Sequence, residues 1–131
     1  MADTYASISP SSRILLAKWQ RTLGDHEARG DLAGAAEAHE RIAGLFRQHN
    51  LPSQAQESYQ RAIVLRDRLG DFVVASAILR EMSDVYAQLG QLDDAFAMIQ
   101  RSIAVRERLG NLGATADSVY VAGGLLERTR H

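Results

Sequence analysis

The sequence predicts an all-α protein, a stack of antiparallel helix pairs with about six helices in a row. Three observations carry that prediction. The chain is rich in Ala, Leu, Arg, Gln and Glu, all good helix formers, and has only two prolines, Pro10 and Pro52. Apolar residues recur at three- and four-residue steps, the spacing of a one-sided helix. The chain also repeats itself with a period of forty residues.

The repeat is visible first in its turns. Arg29-Gly30-Asp31, Leu69-Gly70-Asp71 and Leu109-Gly110-Asn111 return at the same interval. Laying 30–69 over 70–109 without a gap gives eleven identities in forty, among them Ala35/Ala75, Ala55/Ala95, Arg61/Arg101, Ile63/Ile103 and Arg66/Arg106. Chance would give roughly three at ordinary residue frequencies. The organisation read from this is a flexible N-terminus over 1–9 and one domain over 10–131. That domain has a half-unit at 10–29, units at 30–69 and 70–109, and a half-unit at 110–131.

Each helix has its own signals. The first, over 10–28, starts at Ser9-Pro10 and overlays Leu15, Trp19 and Leu23 on Ala55, Tyr59 and Ile63, which puts Trp19 at a buried aromatic position and so in the core. Gly24-Asp25 marks a place where it ends early or kinks. The second, over 31–49, takes Asp31 as N-cap, and His49 stands at its C-terminus, where a cation is favoured. Asn50 follows in place of glycine, because Asn also visits the left-handed region. The third, over 53–69, follows Pro52, whose missing N–H costs nothing in a first turn. The fourth, over 71–89, carries the stripe Ile78, Leu79, Met82, Val85, Tyr86 and Leu89 and stops at Gly90. The fifth, over 93–109, opens on Asp93-Asp94 at the positive end of the helix dipole. The sixth, over 112–129, sets Val119, Ala122, Gly123 and Leu126 on Leu79, Met82, Ser83 and Tyr86.

Composition excludes several classes of function. Fifteen basic against sixteen acidic residues leave a net charge of −1, so no basic surplus serves nucleic acid. There is no cysteine, hence no disulfide, thiolate metal site or thiol nucleophile. The longest apolar run is the five residues 95–99, far short of the roughly twenty of a membrane span. The first ten residues lack the basic start and apolar core of a secretory signal, so the expected location is the cytoplasm.

The ladder Leu79-x2-Met82-Ser83-x2-Tyr86, Gly90, Ala95-x3-Ile99-x2-Ser102 resembles the tetratricopeptide repeat. So do Ile42-Ala43-x2-Phe46 with Ala55-x3-Tyr59-x2-Ala62, and Val119-x2-Ala122-Gly123-x2-Leu126. The forty-residue period is similar to the longer variants of kinesin light chains and of bacterial regulatory proteins. The resemblance covers about residues 11–131 and implies a right-handed superhelix whose first-type helices line a concave wall. It implies a non-enzymatic module that holds a partner peptide or helix in that groove.

The candidate contacts on the wall are Glu37, Glu40, Arg41, Arg47, Gln48, Arg80, Asp84, Gln88, Tyr120 and Arg128. Relatives that grip a peptide's C-terminal carboxylate use Lys and Asn one turn apart. The matching places here hold Glu40 and Gly44, Arg80 and Asp84, and Tyr120 and Gly124, which departs from that pattern. An alternative reading is a homo-oligomeric or regulatory scaffold meeting its partner through the ends of the stack, with Leu112, Val121 and Leu125 as contacts.

No catalytic residue, metal ligand or cofactor site is expected. His39 and His49 are ten residues apart, not the single turn that a helical zinc motif needs. Arg29-Gly30-Asp31 matches an adhesion tripeptide but occupies the repeated turn. Glu37/Arg41 and Glu57/Arg61 are expected to pair along their helices at about 0.2–0.5 kcal/mol each.

Overall fold

The computed structural model describes residues 6–110. Within them the protein is all-helical, with α1 Pro10–Arg29, α2 Leu32–Gln48, α3 Pro52–Arg68, α4 Phe72–Gln88 and α5 Leu92–Arg108. The five observed helices match five of the six predicted to within a residue at either end. The sixth, over 112–129, lies outside the described residues.

The repeated turn explains the regularity. After α1, Gly30 takes a left-handed conformation (φ 69°). Its N–H donates to the carbonyl of Glu27, and that of Asp31 donates to His26, closing the helix with two otherwise orphaned carbonyls satisfied. Asn50 does the same after α2 with φ 58°, Asn50 N–H donating to Arg47 and Leu51 N–H to Phe46. The next helix then starts within two residues of that turn. Asp31 caps α2 by accepting the Gly34 N–H at 2.9 Å. Asp71 holds the same place before α4 but makes no side-chain cap bond. Its carboxylate instead accepts from the Arg66 guanidinium at 3.2 Å.

Contacts divide the chain into two compact halves, Met1–Leu65 and Arg66–His131. In the N-terminal half α1 packs on α2. Ala36, Ala38, Ala43, Ala55 and Ala62 are fully buried, and Ile42, Phe46, Tyr59 and Ile63 fill the space around them. The alanines let helix backbones approach closely, and each large side chain buried contributes about 1.5–3 kcal/mol. In the C-terminal half α4 packs on α5. Here the matching small residues are serines: Ser76, Ser83 and Ser102, at most 1% exposed. Their hydroxyls are satisfied by backbone carbonyls, Ser76 on Val73 at 2.8 Å, Ser83 on Arg80, and Ser102 on Ser76 across the helix pair at 2.9 Å.

Two expectations for α1 are corrected, the early end and the buried tryptophan. The helix runs unbroken past Gly24 and Asp25 to Arg29. The buried leucine is Leu16, while Leu15 is 41% exposed and Ile14 is 73% exposed. Leu15 shares its register position with Ala55, which is buried on α3. Trp19 is half-buried rather than core, and the Arg41 guanidinium lies 5.9 Å from its ring centroid.

Candidate functional site

The residues expected along the wall are carried by single helices. On α2, Glu37 and Arg41 are exposed, 3.8 Å apart, and Arg41 also sits over Trp19. Glu40 and Arg47 are half-buried and Gln48 is exposed. On α4, Arg80 is half-buried, and Asp84 and Gln88 are exposed. Tyr120 and Arg128, and the end contacts Leu112, Val121 and Leu125, lie outside the described residues.

Concave space occurs elsewhere. In the N-terminal half a groove of about 670 Å³ opens between the C-terminal end of α1, the first turns of α2 and the C-terminal part of α3. Leu32 and Ala35 form its floor, Glu27 stands on one wall, and Arg61, Val64 and Leu65 stand on the other. In the C-terminal half a groove of about 500 Å³ is lined by Asp67, Phe72, Arg101, Ala104 and Val105, with Arg108 and Leu109 beyond. Subtracting forty from the first five gives 27, 32, 61, 64 and 65, all of which line the other groove. The duplication has therefore copied a groove along with the helices. None of the wall residues on α2 and α4 lines either groove.

Three differences between the copies stand out around the groove. His39, 9% exposed, stands where the C-terminal half has the fully buried Leu79. His26 stands in the register of Arg66, and Gly34 in that of Val74. The last two changes belong together. The His26 ring lies against the first turn of α2, in the space that a Cβ on residue 34 would need. A bulkier residue at 34 requires the side chain at 26 to move or to be exchanged.

Electrostatics differ with them. The His26 Nδ1 is 2.9 Å from the Asp31 carboxylate, but it is not aligned for a hydrogen bond and is otherwise buried. The Gly34 N–H bond holds the Asp31 carboxyl below its ordinary range, and the His26 ring adds to the effect. Burial pushes the His39 imidazole below its ordinary value; Arg61 acts in the same direction and Glu27 opposes it. Glu57 pairs with Arg61 at 3.4 Å along α3. In the other groove the acid is already engaged across the gap, Arg101 donating to Asp67 at 3.3 Å.

His49 behaves as its place in the chain suggests, its Nδ1 lying 2.9 Å from the Leu45 carbonyl at the end of α2. Among the described residues no cluster of three or more His, Cys, Asp or Glu is placed to hold a metal ion. Among them, too, no helix is long and apolar enough to cross a membrane. No protein-family model and no curated protein matches the chain.

The groove residues were not singled out by the sequence reading, although a signal was present. Overlaying the units shows His39 against Leu79 and Gly34 against Val74. A polar residue at a core register position and a glycine inside a helix both break the pattern of the repeat.

Proposed function

We propose that this chain is a polypeptide-binding module with no reaction of its own, tetratricopeptide-like in its helix register, and that a partner segment docks in its grooves. The observation that carries the reading is the duplicated groove. Each copy has a large apolar residue on the floor, Leu32 or Phe72, and carries an acid and an arginine on its walls, Glu27 and Arg61 or Asp67 and Arg101. Leu32 is 36% exposed and Phe72 46%, so each offers apolar surface that a ligand in the groove would cover. An open groove with apolar floor and polar rim suits a peptide anchor, the side chain buried and the backbone at the rim.

The test is selection from a displayed random-peptide library with the full chain as bait. The wild type is expected to enrich a common pattern that Leu32→Asp/Phe72→Asp loses without a fall in helix content. Arg80→Glu, on the α4 face, is expected to keep it. Loss with Arg80→Glu and retention with the groove variant would move the site to the α4 face. No enrichment above an unrelated helical domain would overturn the reading.

A second reading, self-association, is favoured by the exposed Ile14 and Leu15 on α1. Light scattering over a concentration series tests it. Self-association predicts a mass that rises with concentration and stays flat in Ile14→Asp; a constant 14.4 kDa in both removes it.

A further inference from the structure

We propose that the groove of the N-terminal half selects a basic, amphipathic segment of its partner. An arginine or lysine head sits among Glu27, Asp31 and Glu57, and its aliphatic stem lies along Leu32, Val64 and Leu65. The inference rests on the binding reading above and adds the chemistry of the ligand.

Charge is the first argument. Three carboxylates and one guanidinium, Arg61, line this groove. Among the described residues, the equivalent groove of the C-terminal half has one carboxylate, Asp67, and two guanidiniums, Arg101 and Arg108. Two sites copied from one ancestor thus carry opposite sign. In the second, Asp67 is bonded to Arg101 and Phe72 occupies the floor. In the first, the floor is the smaller Leu32, and the one guanidinium, Arg61, meets Glu57 as an exposed pair at 3.4 Å, much as Arg101 meets Asp67, so that a single guanidinium is set against three carboxylates. Such pairs are weak and readily exchanged for a partner's cation.

The second argument is independent of the carboxylates. His39 is a polar side chain nine-tenths buried, and it lines the groove. The same register position in the C-terminal half holds Leu79, so packing alone does not call for an imidazole. Burial favours its neutral form, which adds no positive charge and leaves the excess of carboxylates intact. A neutral imidazole also offers a nitrogen lone pair to an incoming N–H donor. An acidic surface with an apolar floor and a neutral acceptor suits a long cationic side chain, whose stem is apolar and whose head is a donor only.

The experiment uses the full chain and four fluorescein-labelled peptides of equal length: alternating Arg-Leu, Lys-Leu, Glu-Leu and Arg-Ser. Anisotropy titrations are expected to rank Arg-Leu and Lys-Leu first and Glu-Leu last. Arg-Ser, which has charge without apolar anchors, is expected to bind about tenfold more weakly than Arg-Leu. Glu27→Lys/Glu57→Lys is expected to weaken Arg-Leu about tenfold and to strengthen Glu-Leu. Asp94→Lys/Glu107→Lys makes the same change in net charge away from this groove and is expected to shift affinity less than about twofold. The imidazole C–H resonances of His26 and His39 should move on adding Arg-Leu while those of His49 stay. Equal binding of Glu-Leu and Arg-Leu, or equal effects of the two charge-reversed pairs, would overturn the inference and leave the binding module standing. Binding by none of the four peptides and no enrichment from the library would remove both.

Discussion

The two halves of the molecule are copies that solve the same packing problem with different residues. The N-terminal half joins its helices through alanines, keeps a histidine in a core register position and lays a second histidine on a glycine. The C-terminal half uses serines bonded to backbone, a leucine and an arginine paired with Asp71. The helix boundaries and turns are the same in both. The fold therefore depends on the spacing of the buried side chains and turns, while the groove takes its character from the positions where the copies changed in chemistry or size. Exchanging those positions between the halves tests how far each is locked to its surroundings.

The largest effect is expected from Leu79→His, which gives the C-terminal half the histidine of its counterpart. Leu79 is 1% exposed. His39 has a groove beside it in which its polar edge is relieved. The loss is expected to be about 3 kcal/mol, read from urea denaturation. A loss under about 1 kcal/mol would mean that the C-terminal half accommodates an imidazole equally well, and the contrast between the grooves would lapse.

Next comes Gly34→Val. Its side chain would enter the His26 ring, and the cost is expected to be about 1–2 kcal/mol even though valine is the better helix residue. The double variant His26→Arg/Gly34→Val restores the pairing found at Arg66 and Val74 and is expected to recover most of the loss. The coupling between the two sites is expected to be about 1 kcal/mol. Additive losses would show that the ring does not need the glycine.

His39→Leu makes the reverse exchange and is expected to stabilise the protein by about 1 kcal/mol at neutral pH. Its pH dependence is the sharper readout. Burial lowers the proton affinity of His39 in the folded state, so the unfolded chain takes up the proton first as pH falls. The wild type should hold its full stability above the ordinary imidazole value, about 6.5, and lose part of it below. The melting temperature of His39→Leu should fall less between about pH 7.5 and about pH 5.5. Asp31 does not confuse that window, because its lowered carboxyl matters only below the ordinary carboxylate range.

The elements were legible because helix stripes, glycine turns and aspartates leave marks at fixed spacing. Asn50 in the left-handed turn and the Glu37/Arg41 and Glu57/Arg61 pairs were read correctly for that reason. Trp19 was misread because register gives a face but not whether a neighbour covers it. Its counterpart Tyr59 is buried while Trp19 is only half-buried. The grooves were missed because their residues come from three consecutive helices and form no local pattern. The mismatches of His39 with Leu79 and of Gly34 with Val74 pointed to them, and the first became informative once the burial of both residues was known.

The smallest effect is expected where the halves differ by a single hydroxyl. Ser102 donates to the Ser76 carbonyl across α4 and α5, and the counterparts are Ala62 and Ala36. Ser102→Ala removes a buried hydrogen bond but leaves no donor stranded, because the donor goes with the substitution. The expected cost is about 1 kcal/mol or less, seen as a lower urea midpoint with an unchanged slope. The reciprocal Ala62→Ser adds a hydroxyl at a fully buried position. If the N-terminal half closes its helices as tightly, that hydroxyl finds the Ala36 carbonyl and the change is close to neutral. A loss above about 2 kcal/mol would show that the alanine seam cannot place the oxygen, and that the serines of the C-terminal half require a geometry of their own.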